Sequence, residues 1–248
     1  MMHKADNQPI QLNKYISSSG YCSRREADRL IEQGRVAINE NIALPGTRVL
    51  PGDKVYIDDE LLKQKTITQK DSFIIAFHKP VTITSTTDEK DPSNIIRFIN
   101  HPKRIFPIGR LDKDSEGLIF LTNDGDLVNK ILRAGNRHEK EYIVTVNKKL
   151  GAEFAATMSR GVRILGTTTL PCKVKVLSSK TFSIILTQGL NRQIRRMCHA
   201  LNYDVVRLQR TRIMHIRLGN IPPGKWRYLS APEMEEMMQQ LKHSRSEQ

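Results

Sequence analysis

Three cysteines in 248 residues, Cys22, Cys172 and Cys198, are too few and too scattered to frame a fold, with no CxxC pair and no Cys/His spacing suited to zinc. Disulfides and structural zinc are therefore not expected. Proline (11) and glycine (14) are also scarce, which excludes collagen-like and low-complexity chains. No apolar run exceeds strand length, Phe73 to Phe77 being typical, and Met1 to Leu12 lack the apolar centre of a signal peptide. The expectation is a cytoplasmic chain without a membrane span. Acid is the other shortage, with 26 Asp+Glu against 40 Lys+Arg for a net charge of +14. Such an excess calls for a polyanionic partner, nucleic acid before an anionic membrane surface. What is present, 38% hydrophobic and 27% charged residues, suffices for a buried core, and the length favours two domains.

The first domain is expected over residues 10–70. Leu12, Tyr15 and Ile16 share a helical face before Gly20. A second helix starts at Ser23 with Glu26 in capping-box spacing, buries Ala27, Leu30 and Ile31, and closes at Gly34. Its outer side carries Arg24, Arg25 and Arg29 with Asp28, either a solvated charged face or a face for nucleic acid. Short strands follow around Val36/Ile38 and Val55/Ile57. The polar stretch Lys63 to Asp71 reads as a linker, and residues 72–242 form the second domain. Its expected strands are Phe73 to His78, Leu118 to Thr122, Glu141 to Val146, Phe182 to Leu186 and Val205 to Leu218, the last broken by a bulge. Helices are expected at Leu127 to Arg133, Gly151 to Ser159, Asn191 to Leu201 and Pro232 to Lys242. The last opens with a capping box, Ser230 and Glu233, and its stripe of Met234, Met237, Met238 and Leu241 is expected to dock on the protein's own core.

Two segments could carry chemistry. The first, Gly109 to Gly117, is an acidic loop feeding the apolar strand Leu118 to Leu121. Asp112, Asp114, Glu116 and Gly117 match the start of a calcium loop, but Asn123 stands where its last glutamate belongs and a strand intervenes, so calcium is discarded. A solvated acidic turn stays open as the alternative to a site. The second segment, Gln188 to His199, reads as a helix capped by Asn191 and split into two faces. Ile194, Met197, Cys198 and Leu201 point one way; Arg192, Arg195, Arg196 and His199 point the other. From Gln188 to Arg217 there are seven arginines and one acid, Asp204. Solvated faces usually mix their signs, so phosphate binding is favoured here.

RLDKDSEGLIFLTNDGD (Arg110 to Asp126), GLNRQIRRM (Gly189 to Met197), KEY (Lys140 to Tyr142) and HKP (His78 to Pro80) resemble the motifs of the RsuA/RluF family of rRNA pseudouridine synthases. The resemblance runs from about Ile10 to Leu241, because the N-terminal module is similar to the S4 RNA-binding domain. It implies an α+β protein: a small S4-like RNA-binding module, then a pseudouridine synthase domain with a mixed, largely antiparallel sheet. The implied reaction turns uridine within large-subunit (23S) rRNA into pseudouridine on a base lifted out of the stack. Asp112 in RLD is the implied nucleophile or base, and Arg195 in RQIR the arginine paired with it. Such a cation keeps a carboxylate ionised, as attack or proton abstraction requires. Tyr142 in KEY is the implied stacking partner of the flipped base, otherwise an ordinary strand aromatic beside Val144 and Val146. Arg110 is expected in the space the base vacates, and Arg192 and Arg196 on phosphates.

An isomerisation adds and removes no atoms, so no metal and no cofactor is expected. The expected partner is rRNA, with tRNA or a pre-assembled large ribosomal subunit as alternatives, for a monomeric enzyme with no membrane role. A non-catalytic RNA-binding assembly factor would also account for the charge, but it leaves the acidic loop beside a basic helix unexplained. Thr82 stands where the family often has glycine, which leaves that turn's geometry open. The sequence also ends soon after its last helix, so contacts made by the basic tail of some relatives are not expected.

Overall fold

The protein is described from a computed structural model, over residues 8–63, 71–132 and 138–243. It divides into two compact units, one up to Ser72 and one from Phe73. The expected linker falls largely on residues 64–70, outside the described residues.

In the first unit β1 (Ile10–Gln11) leads into α1 (Leu12–Ser18) and α2 (Arg24–Glu32), followed by β2 (Val36–Ile38), β3 (Asn41–Ile42), β4 (Arg48–Val49), β5 (Val55–Ile57) and β6 (Glu60–Leu61). The antiparallel order is β3-β2-β5-β6, with β1 and β4 paired separately. Leu12 and Ile16 from α1 pack with Ala27, Leu30 and Ile31 from α2 over Val36, Val55 and Ile57, which makes one small core. Ser23 caps α2 by accepting from the Glu26 amide at 3.1 Å. The Glu26 carboxylate does not complete a reciprocal box; it takes Arg29 at 3.0 Å instead. Gly34 closes the helix at φ +70°, a conformation only glycine adopts cheaply.

The second unit contains, in order, β7 (Ile74–Lys79), α3 (Ile95–Ile99), β8 (Phe106–Ile108), β9 (Glu116–Thr122), α4 (Gly125–Leu132), β10 (Lys140–Val146), α5 (Phe154–Ser159), β11 (Arg163–Ile164), β12 (Thr167–Thr168), β13 (Lys173–Ser178), β14 (Thr181–Leu186), α6 (Gln193–Ala200), β15 (Val205–Ile213), β16 (Ile216–Arg217), β17 (Trp226–Tyr228) and α7 (Ala231–His243). Its main sheet runs β13-β14-β10-β15-β9-β7-β17, with β8 beside β9 and β16 beside β15. Every ladder is antiparallel except β15 with β9. This is the mixed, largely antiparallel sheet expected of an α+β domain.

Register partners share a face, so the pairings sort the core. One face carries Ile74, Ala76, Leu118, Phe120 and Ile213 beneath α4 and α7. The opposite face carries two clusters. Phe182, Ile184, Val144 and Leu208 lie beneath Phe154 of α5 and Ile194 and Met197 of α6. Ile75, Phe77, Ile119 and Leu121 lie beneath Ile95 of α3. Tyr142 packs against both clusters. Tyr142 therefore marks the boundary between them.

The α7 stripe docks on its own core as expected, with Met237 and Leu241 buried and Met234 and Met238 packed beside them. Three expectations need correction. Val205 to Leu218 is not one bulged strand: the chain reverses at Met214 (φ +53°), and β16 returns antiparallel along β15. The cap of α6 is not Asn191 but Arg192, in left-handed backbone (φ +49°) with no side-chain cap bond. The helix expected from Gly151 starts at Phe154. The C-terminal end expected for α4, Arg133, lies outside the described residues.

The capping box at α7 forms in both directions, Glu233 accepting from the Ser230 amide at 2.8 Å and donating its own amide to Ser230 Oγ at 3.4 Å. Arg227 adds two bonds of 2.7 Å. These Arg227 bonds, helped by the Ser230 amide, hold the Glu233 carboxyl down at about 2 from 4.5. A lowered acid pKa contributes stability above the unfolded value that is lost as pH falls through the folded one. Glu233→Gln is expected to lower Tm at pH 7, and its deficit against the native protein should shrink between pH 4.5 and 2. A deficit unchanged over that range in thermal unfolding scans would show that the charge is not its source.

Candidate active site

The acidic loop is held from beneath by the turn after β7. Lys79, fully buried, donates from Nζ to the carbonyls of Pro80 and Ile83 at 2.8 Å each and so folds the chain over itself. Burial holds Lys79 down at about 8 from 10.5, with Arg210 lowering it further, while Asp112, Asp114 and Glu116 pull the other way. The turn then grips the loop on either side of Asp112. Ser85 Oγ donates to the Leu111 carbonyl (2.8 Å) and accepts from its amide (3.1 Å). The Thr82 amide donates to the Lys113 carbonyl at 2.8 Å. Thr82 does this at φ +73°, a strained conformation for a β-branched residue.

From the other side, β15 presses on the loop where it becomes β9. Gly117 pairs with Arg210 in the parallel ladder, and a Cβ at Gly117 would lie 2.3 Å from the Arg210 carbonyl oxygen. The Arg210 side chain is 3% exposed, with Nε donating to Leu118 O at 2.6 Å and Nη1 to Arg110 O at 3.4 Å. Its parity matches Leu208 and its register partner is Tyr142, so Arg210 and Tyr142 share one face of the sheet.

The basic helix then meets the acidic loop. Arg192 forks onto Asp114 with bonds of 3.0 and 2.8 Å and reaches Asp112 Oδ2 at 3.8 Å. Arg195 donates to the Asp114 carbonyl (2.8 Å), Ser115 Oγ (3.3 Å) and the Val205 carbonyl (3.1 Å), and its Nε lies 3.3 Å from Asp114 Oδ2. Arg207 takes Glu116 at 2.6 Å. The Arg192 bonds, with charge from Arg195, hold the Asp114 carboxyl below its ordinary value.

These contacts sort the expected residues. Asp112, Arg192 and Arg195 converge, but among the described residues the ion pair of Asp112 is with Arg192. Arg195, expected to pair with Asp112, is drawn to Asp114 because its guanidinium is anchored at Val205 and at the backbone of residue 114. Tyr142 is half-buried where the two apolar clusters meet. The side chain of Arg110 is exposed, while its carbonyl is tied to Arg210. Arg196 turns back to Asn191, donating to its carbonyl (3.1 Å) and Oδ1 (3.2 Å). Arg24, Arg25 and Arg29 line the exposed side of α2 in the first unit. Sequence reasoning did not single out Lys79, Ser85 and Arg210. For Arg210 the signal was its parity with Leu208, which puts a charged residue on the inward side of its strand. No three His, Cys, Asp or Glu side chains converge to hold a metal among the described residues.

The family model for RNA pseudouridylate synthase matches residues 73–200, and that for the S4 domain matches residues 11–55. A dual-specificity RNA pseudouridine synthase, RluF, of Escherichia coli strain K12 is 56% identical over 96% of this chain and 81% of its own. The chain belongs to the RNA pseudouridylate synthase family. Ribosomal large subunit pseudouridine synthase B of Bacillus subtilis is 31% identical over 95% of this chain and 98% of its own. A crystal structure of a pseudouridylate synthase superposes with a TM-score of 0.67 at 29% identity, covering 92% of this chain and 99% of that one. As an RNA pseudouridine synthase, the protein isomerises uridine within RNA: the C1′–N1 bond breaks, C1′–C5 forms, N1 gains a proton and C5 loses its hydrogen to water. The family match includes Asp112, Tyr142, Arg192 and Arg195, while Arg207 and Arg210 lie beyond its end.

Two backbone positions test this construction. Gly117→Ala forces β9 off β15 and is expected to cost about 2–4 kcal/mol of stability together with most of the activity, read by denaturant unfolding and turnover. Thr82→Gly relieves left-handed strain and is expected to add about 1 kcal/mol by the same unfolding measurement, net of glycine's entropy. No gain there would mean that the turn carries no strain.

Proposed function

We propose that the substrate is a uridine in large-subunit (23S) rRNA and that Asp112 is the nucleophile or base acting on it. The observation that carries the choice of RNA is the 56% identity, over 96% of the chain, to a relative of the dual-specificity RluF type. The similarity to ribosomal large subunit pseudouridine synthase B supports it further. In this reading Asp112 faces the flipped nucleotide and Tyr142 stacks on the base, worth about 1–3 kcal/mol against the cost of flipping. Arg195 keeps positive charge beside the loop, Arg110 fills the space left by the base, and Arg192 and Arg196 meet phosphates. The S4-like module, residues 10–70, contributes Arg24, Arg25 and Arg29 to RNA binding, and residues 72–242 form the catalytic domain. The enzyme works as a monomer in the cytoplasm, on free rRNA or a pre-assembled large subunit.

A second substrate, a uridine in a tRNA anticodon loop, is favoured by the words dual-specificity in the name of that relative. The test is tritium release from RNA labelled at uridine C5, since joining C5 to the ribose expels its hydrogen. Native protein is expected to release tritium from 23S rRNA, and Asp112→Asn to bind that RNA with native affinity and release none. Release from tRNA alone would overturn the rRNA assignment, and release by Asp112→Asn would remove Asp112 from its role.

A further inference from the structure

Asp114 lies two residues beyond Asp112, yet the two arginines at the start of α6 make most of their contacts with residue 114. Its carboxylate takes both arms of the Arg192 fork, and Arg195 approaches the same Oδ2 while bonding the Asp114 carbonyl. Asp112 is left with a 3.8 Å contact to Arg192 and no hydrogen bond from it. A planar guanidinium fork fits a carboxylate and a phosphate in the same way. Among the described residues both side-chain hydrogen bonds of Arg192 go to Asp114, so little else holds its side chain in this direction. Its guanidinium is about two-fifths exposed and Asp114 about half, so an incoming oxyanion can reach the pair.

We propose that Asp114 is a positioning residue, an internal stand-in for RNA phosphate that holds Arg192 in the free enzyme and yields it when RNA binds. The proposal rests on the reading of Arg192 as a phosphate contact. Binding then exchanges one ion pair for another. The RNA releases a counterion at the phosphate that Arg192 neutralises, while Asp114, freed of its arginine, takes one up from solution. The carboxylate therefore weakens RNA binding and flattens its salt dependence. In return, Arg192 is kept extended beside the loop, with its hydrogen bonds on Asp114 and only a 3.8 Å approach to Asp112, until a phosphate arrives.

The test is equilibrium binding of a uridine-containing single-stranded RNA oligonucleotide, measured over a range of salt for native protein, Asp114→Asn, Arg192→Ala and the double variant. Asp114→Asn is expected to tighten binding about twofold to fivefold, the range of a partly exposed ion pair. Its log-log salt slope should steepen by up to ~0.7, one phosphate contact on a single strand. The KM for that RNA should fall in step with Kd, and the double variant should show neither gain. If Asp114 only braced the loop, its loss would not steepen the slope, so an unchanged or shallower slope overturns the proposal. Should Arg192→Ala leave both affinity and slope unaltered, the phosphate reading of Arg192 fails instead, whatever Asp114→Asn does. Asp114→Ser, run in parallel with thermal unfolding, separates loss of the carboxylate from a misfolded loop.

Discussion

The catalytic unit depends on a contact between opposite charges that the chain brings from far apart. Asp112, Asp114 and Glu116 lie on one short loop, and Arg192, Arg195 and Arg207, some 80 to 90 residues further on, meet them from α6 and β15. Three carboxylates this close would repel one another, and so would the arginines around them. Interleaved, they cancel most of that repulsion and fix the loop against the helix. Each pair is partly exposed and worth little alone, but the network shares its geometry with the hydrogen bonds of Lys79, Ser85 and Thr82 beneath.

Beneath that network, two buried cations solve a steric problem as well as an electrostatic one. Lys79 donates to the backbone carbonyls of Pro80 and Ile83 and Arg210 to those of Leu118 and Arg110, while the buried Nη2 of Arg210 has no partner among the described residues. Each closes a turn that secondary structure cannot satisfy. The acidic loop acts on one of them in return, since Asp112, Asp114 and Glu116 favour the charged form of Lys79 against its burial. Tyr142 shares the face of Arg210, which sets an aromatic and a cation side by side at the boundary of two apolar clusters.

Much of this was legible where local rules and burial agree. The two faces of α6, the docking of the Met stripe, the box at Ser230 and Glu233, and the inner strands follow from periodicity and capping. The failures came where a distant contact overrode the local preference. Asn191 is a good cap by type, yet Arg192 takes that place in left-handed backbone, with its side chain on Asp114. The stretch from Val205 to Leu218 contains no glycine or proline to mark a turn, so it gave no sign of the reversal at Met214. The edge strand β13 was missed although Lys173 to Val176 alternate, because the alternation is short and only Val174 turns inward. The motifs pair Arg195 with Asp112, whereas its guanidinium meets Asp114, because spacing cannot say which of two arginines reaches which of two aspartates.

The parallel pairing of β9 with β15 has a consequence for the order in which the enzyme matures. Gly117 meets its partner, Arg210, only after more than ninety further residues have been added. Until β15 has emerged, β9 is held only by β7 and β8, the Leu118 and Arg110 carbonyls lack the Arg210 side chain, and Glu116 lacks Arg207. Pairings this distant in sequence are slow to form. The nascent chain can therefore complete its RNA-binding module early, while the residues that do the chemistry wait for the last third of translation. A ribosome-bound fragment could hold RNA before it was able to alter it.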